Sequence, residues 1–360
     1  MITCGAIVII GVALALVNTP HHSTSTSTTT TTLHSLASTT TTTPTVTISA
    51  VGDTELGNTP QLPADPAAIF DGVRAALAAP IVFGNLEGTM TAATISRCAP
   101  SSTECYAFRV PPSYAKVYRA AGFNVLNSAN NHSNDFGARG RLDTTAALSG
   151  AGIAQAGLPG QIAVVHDGAV KVAFVDFAPY YNTNDLLDPG SAAGLIARAK
   201  TLANVVVVYM HAGAEGPNAD HVTRASETYY GENRGNPYVF AHAAIDDGAD
   251  LVIASGPHVL RGLEWYRGHL IDYSLGDFAN YYDFATVGNL RLSAILHVTL
   301  ALNGTFVSGH FTSLTLSAAG TPSLDPSGAA AGLVNRLSTQ DFAATRAVIG
   351  RRGELLAPLS

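Results

Sequence analysis

The sequence predicts an α/β fold with much parallel sheet, closed by a pair of antiparallel strands. Three observations carry this expectation. From residue 45 onward, apolar strand-like runs alternate with helix-like stretches, the pattern of repeated strand–helix–strand units. The runs are continuous and rich in β-branched residues, as strands buried on both faces require. After Leu290 the alternation stops, and two long runs flank Asn303-Gly304, a dipeptide that favours a two-residue hairpin turn.

The elements follow in chain order. Gly5 to Val17 is an unbroken apolar run, shorter than the roughly 20 residues that span a membrane. It fits the apolar part of a signal peptide; with no Lys or Arg before it, a membrane anchor over residues 1–20 is the other reading. Residues 21–44 are almost entirely Ser and Thr. Such a tract has no apolar area to offset its ordering entropy and reads as a disordered linker. This layout is that of an exported protein, extracellular or anchored at the cell surface. Strands are expected at Val46–Val51, Ile81–Phe83, Val125–Leu126, Val170–Phe177, Val205–Met210, Leu251–Ala254 and Leu270–Tyr273. Helices are expected at Pro66–Ala79, Ser113–Ala121, Ala138–Ala151, Ser191–Leu202 and Pro237–Asp247. The hairpin pairs Leu292–Leu300 with Thr305–Leu316. One domain therefore covers 45–317, and the Pro/Ser/Gly-rich segment 318–360, with a short helix near Thr339–Val348, reads as peripheral. Cys98 and Cys105 bracket a Pro/Ser-rich loop. In an oxidising compartment they would form a disulfide; the other reading is two free thiols.

Composition excludes some function classes. Of 360 residues, 47% are apolar and only 12% charged, so a large core is easily built. Net charge is -7 with 19 Lys and Arg, and no basic stripe appears, which argues against a nucleic-acid partner. No Walker or dinucleotide glycine pattern occurs.

In α/β sheets, function gathers at the carboxyl ends of the strands. The residues just past each run form a consistent set. They are Gly52-Asp53-Thr54-Glu55, Gly84-Asn85-Leu86-Glu87-Gly88, Asn130-Asn131-His132 with Asp135 beyond, His211 with Glu215, and Ser255-Gly256-Pro257-His258. A further glycine turn carries Asp277. Any one of these could merely cap a turn or sit satisfied in a core, but five at five strand ends point to a shared site. Carboxylate and amide oxygens mixed with imidazoles suit a divalent transition metal, Mn, Zn or Fe, better than calcium with its all-oxygen shells.

These motifs also carry a family resemblance. VGDTELG at Val51, GNLEG at Gly84, SANNHSNDFG at Ser128, MHAGAEG at Met210, SGPHV at Ser255 and YSLGDF at Tyr273 resemble the capsule-synthesis CapA family, whose fold is similar to that of calcineurin-like metallophosphatases. The resemblance implies a layered α/β/β/α sandwich with one or two divalent metal ions at its strand ends. It also implies a link to poly-γ-glutamate capsule synthesis or export. Carried over residue by residue, it implies Asp53, Glu87, Asn131, His211 and His258 as metal ligands. His132 matches the proton donor, with Asp135 beside it as the second catalytic candidate. Glu55, Asn85, Asn130, Glu215 and Ser255 are the candidate substrate contacts. The chain departs from the pattern where Glu55 stands for a His, where Asn85 falls near the bridging Asp, and where Gly256-Pro257-His258 keeps one His of two.

Two function classes follow. One is a metal-dependent hydrolase or transferase acting on a phosphorylated envelope precursor or an anionic polymer. The other is a non-catalytic, polymer-binding accessory subunit that works with membrane-bound capsule synthesis proteins.

Overall fold

In the computed structural model, which describes residues 43–99, 101–102 and 105–357, two β-sheets face each other between outer layers of helix. The first sheet has eight strands, ordered Pro322–Leu324, Phe306–Leu316, Leu292–Ala301, Thr45–Glu55, Ile81–Leu86, Val125–Asn127 and Ala154–Ala156, with Asp277–Asn280 beside the end of Thr45–Glu55. The second has seven, ordered Leu263–Tyr266, His269–Asp272, Leu251–Ser255, Val205–His211, Val170–Ala178 and Ala163–Asp167, with Asn184–Asp185 beside Val170–Ala178. The centre of each sheet is parallel. The Asn303-Gly304 hairpin closes the first sheet on its antiparallel side, as expected.

The continuous apolar runs have a direct cause. Successive side chains along a strand point to opposite faces, and both faces are covered. Val205, Val207 and Tyr209 join Ile48, Phe83 and Val125 in the core between the sheets. There Phe83 stacks on Phe174 at 5.1 Å. Val206, Val208 and Met210 turn the other way, onto the helices Pro189–Leu202 and Pro237–Asp246. On the first sheet, Val51, Val82 and Leu126 pack against Tyr114–Ala121 and Gly137–Gly150. The layers are thus helix, sheet, sheet, helix.

Three expectations need correction. Pro66–Ala79 is not one helix but a 3-10 turn, Pro66–Phe70, followed by a short helix, Arg74–Leu77. Asp65 caps the turn through the Ala67 N–H, and Gly72, a poor helix former, lies in the break. The segment 318–360 is not peripheral. Its helix runs Ala329–Phe342 rather than Thr339–Val348, and Ala330, Leu333, Val334 and Leu337 join the core between the sheets. That spacing is one helical face, hidden among Pro, Ser and Gly. Finally, the short strands Ala154–Ala156, Leu263–Tyr266 and Asp277–Asn280 lie outside the runs that composition marks.

Cys98 and Cys105 are bonded, with Cα atoms 5.5 Å apart. Among the described residues, no helix is long and apolar enough to cross a membrane. The signal peptide or anchor expected over 1–20, and the linker up to residue 42, lie outside the described residues.

Candidate metal centre

Strand register assembles the site. Asp53 lies opposite Asn85 on one side and Asp277 on the other. Asn85 lies opposite Asn127, and in the second sheet His211 lies opposite Ser255. Glycine makes the Asp53–Asp277 pairing close: a Cβ on Gly52 would collide with the Gly276 carbonyl oxygen, while the Asp53 N–H donates to that same oxygen at 3.0 Å. The Ser255–His258 turn is also tight. Gly256 has φ +114, and His258 adopts φ 60, a left-handed conformation uncommon for residues with a side chain.

Asp53 is surrounded by donors. It accepts from Asn85 Nδ2 at 2.7 Å, from the Ser255 hydroxyl and from the Gly256 N–H at 3.2 Å; His258 Nδ1 lies 3.4 Å away. Burial alone would raise its pKa, but the bond from His258, the neighbouring His211, the charge of the His258 ring and the Ser255 hydroxyl together outweigh burial and hold it at about 2. Asn85 is held in turn by Asn127 at 2.6 Å and Asn130 at 2.9 Å through its Oδ1. Asn85, Asn130 and Ser255 are fully or almost fully buried and direct their polar groups at Asp53 and at one another. They position the carboxylate, in place of the substrate contact expected of them.

Beside this satisfied network lies a cluster that lacks partners. Both carboxylate oxygens of Glu87, both of Glu55, Nε2 of His211, Nε2 of His258 and Oδ1 of Asn131 are buried with no hydrogen bond among the described residues. His211 Nε2 is 3.6 Å and His258 Nε2 3.9 Å from Glu87 Oε1. Buried polar groups are almost always paired, so each exception calls for a reason. A divalent ion among Glu87, His211 and His258 is a sufficient one, because zinc-type ligand atoms stand about 2 Å from the ion and hence a few ångströms from each other. Asp53, Glu87 and His211 also place ligand atoms within 4.8 Å of one another. The donor set of imidazoles and carboxylates fits Mn, Zn or Fe.

The electrostatics differ from residue to residue: of Glu87, His211 and His258, only His211 already stands in its ligating form without an ion. Burial pushes His211 down to about 3, so its imidazole is neutral, the form that ligates. Burial, reinforced by the Asp53 charge, drives the Glu87 carboxyl well above the usual carboxylate range, and burial with the Glu87 charge does the same to Glu55. Burial works against a charged His258, but Asp277 and Glu87 outweigh it and raise its pKa. Asp277 binds His258 Nδ1 at 2.8 Å and accepts from Asn280 at 2.7 Å. It holds the His258 ring in the way an outer carboxylate holds the histidine of a metal site.

The proton-donor candidates stand apart. His132 Nδ1 contacts Asp135 Oδ2 at 2.8 Å, which leaves Nε2 as the free ring nitrogen. His132, Asn131, Glu215 and His258 line a cavity of about 540 Å³, walled also by Arg97, Phe108, Tyr229, Arg234 and Phe284. Glu215 is taken up by Arg234 at 2.6 Å and lies 3.8 Å from His258 Nε2. Phe284 stacks on the His258 ring at 4.3 Å. Asp277, Asn127 and Asp283 carry no assigned role from the sequence. Asn127 follows directly on an expected strand, a signal that could have found it. Asp283, on the cavity wall with a carboxyl raised to about 7 by burial, follows no such run.

Comparison with known proteins agrees with the motifs. Residues 47–282 match the family described as bacterial capsule synthesis protein PGA_cap. The chain is similar to the PGA biosynthesis protein CapA of Bacillus subtilis, 34% identical over 207 residues, covering 53% of this chain and 50% of that protein. It is also similar to the capsule biosynthesis protein CapA of Bacillus anthracis, 31% identical over 45% of this chain and 41% of that protein. A probable polyglutamine synthesis accessory protein of Mycobacterium tuberculosis is 29% identical over 55% of each chain. The chain thus spans about half the length of the curated relatives it matches. Among solved structures, the 5'-nucleotidase precursor of Thermus thermophilus aligns with a TM-score of 0.41 at 13% identity, over 83% of this chain and 59% of that one.

Proposed function

The chain belongs to the bacterial capsule synthesis family PGA_cap, and on that premise we propose that it serves poly-γ-glutamate capsule synthesis or export as a metal-dependent hydrolase at the cell surface. The reading places it beside membrane-bound capsule synthesis proteins, acting on an anionic polymer or a phosphorylated envelope precursor.

One observation carries the metal-dependent part: the unpartnered atoms of Glu87, His211 and His258, buried within 3.9 Å of a common carboxylate oxygen. These three residues would hold the ion, with Asn131 and Glu55 as further oxygen donors. When bound, the ion supplies Lewis-acid polarisation of the scissile group. The chain supplies the rest. Asp277 fixes the His258 ring, Asn85 fixes Asp53 and contacts His211 Nδ1 at 3.2 Å, and His132 offers its free Nε2 at the cavity to protonate a leaving group.

A second reading is a polymer-binding accessory subunit without catalysis. The engagement of Asp53 by Asn85, Ser255 and Gly256 favours it, since a carboxylate occupied by donors is poorly free to ligate an ion. Metal analysis of the purified protein tests the primary reading. The expected result is one Mn or Zn ion per chain, lost in His211→Ala. Protein expressed with ample metal and purified without any would sink it. Metal without hydrolysis of any aryl or alkyl phosphodiester would leave the accessory reading.

A further inference from the structure

The loop closed by Cys98 and Cys105 has no part in the metal centre, yet both its ends reach the proton-donor candidate. On one side, the Arg97 N–H donates to the Asp135 carbonyl at 2.7 Å, and Arg97 Nε lies 2.9 Å from Asp135 Oδ1. On the other, the Phe108 N–H donates to Asp135 Oδ2 at 2.7 Å, and the Phe108 ring lies 4.4 Å from the His132 ring. Arg97 Nη2 also crosses the neck of the loop to the Tyr106 carbonyl at 3.3 Å. The disulfide joins these two sides next to where they grip Asp135. Asp135 is fully buried, and its Oδ2 holds His132 Nδ1 at 2.8 Å.

We propose that Arg97 is a positioning residue for His132, acting through Asp135, and that the Cys98–Cys105 bridge keeps it in place. A half-exposed Arg–carboxylate pair contributes little stability. Its value here is orientational: its charge sits 2.9 Å from the oxygen of Asp135 that His132 does not use, an oxygen with no hydrogen-bond partner among the described residues, and so adds to the Phe108 N–H in disfavouring rotation of the carboxylate and of the imidazole bound to it. A guanidinium on a free loop would lose rotamer entropy to hold this geometry; a loop tied at both sides has less to lose. Arg97 lies between the motifs, so its place beside Asp135 is a product of the fold.

The inference rests on His132 as proton donor, so the experiment needs one readout that depends on activity and one that does not. The first compares two phosphodiesters, one with an aryl leaving group that departs unprotonated and one with an alkyl leaving group that needs a proton. General acid catalysis contributes about 10²–10⁴-fold, so Arg97→Ala should lose at least about tenfold on the alkyl ester and little on the aryl ester. Arg97→Lys should recover part of the loss, and the double variant Cys98→Ser/Cys105→Ser should fall between. Equal losses on both esters, or none, would overturn the positioning role. The second readout is the proton NMR signal of the His132 ring Nδ1–H, assigned by its loss in His132→Ala. It should weaken or shift in Arg97→Ala and when dithiothreitol reduces the bridge to two thiols; an unchanged signal in both refutes the inference. If the parent protein cleaves neither ester, the phosphoester form of the hydrolase reading fails, while the NMR signal still decides the place of Arg97.

Discussion

Replacing Glu87 by Gln separates a metal ligand from a turn carboxylate, because the two readings predict opposite signs. Glu87 is buried with Asp53 and His211, their ligand atoms within 4.8 Å, and neither of its oxygens has a hydrogen-bond partner among the described residues. Two full charges at that distance repel by about 3.5 kcal/mol at an effective dielectric of about 20. In the metal-free protein, Glu87→Gln removes that repulsion at nearly constant shape. The realised gain is smaller than the full-charge repulsion, because burial and the Asp53 charge already favour a protonated Glu87. In the metal-loaded protein the same change deletes a ligand. An ion at about 100 times its Kd stabilises the native state by about 2.7 kcal/mol, which for a chain of this length raises Tm by roughly 5 °C. The assay is thermal unfolding at pH 8, with a chelator and then with Mn or Zn, for both proteins. The parent should gain about 5 °C with metal. Glu87→Gln should equal or exceed the parent in chelator and gain almost nothing with metal. A variant that is less stable in chelator yet shows the parent's full metal-induced gain would refute the argument and leave Glu87 a structural residue.

Two further predictions concern the scaffold. Phe342 stacks on Tyr273 at 4.9 Å at the end of the C-terminal helix, so Phe342→Ala should cost about 3–5 kcal/mol in urea unfolding, whereas a peripheral segment would tolerate it. Asp272 is buried and its pKa is raised to about 8, chiefly by burial. The folded protein therefore keeps a proton that the unfolded chain releases near pH 4. The sign follows: this contribution is complete at low pH and declines by up to about 1.4 kcal/mol per unit as pH rises toward 8. Asp272→Asn should flatten the curve, so that its stability advantage over the parent grows between pH 5 and 8; an advantage independent of pH would show that Asp272 does not titrate in this range.

Much of the layered fold could be read from local pattern. Buried parallel strands must be apolar on both faces, so Val205–Met210 and Leu251–Ala254 stand out as runs, and the glycine-rich turns after them mark where Asp53, Glu87, His211 and His258 cluster. What side chains do once they meet is a different matter, because it depends on pairs far apart in the chain. Asp53 and Ser255, separated by 202 positions, bond across the two sheets. That contact decides that Asp53 is held by donors while Glu87 is left bare. Asp277 becomes the support of His258 only because Gly52 and Gly276 allow their strands to touch. The helix Ala329–Phe342 carries a legible apolar face, yet only the space between the sheets says what that face covers. Arg97, with no motif around it, lies beside Asp135 where the disulfide and the Phe108 N–H bond draw the two sides of its loop together. Periodicity and turn chemistry are local, so the residue types that gather at the strand ends are legible in the chain. Hydrogen bonds are exchanged between neighbours in space, so which of those residues remain unpaired for an ion emerges only on folding.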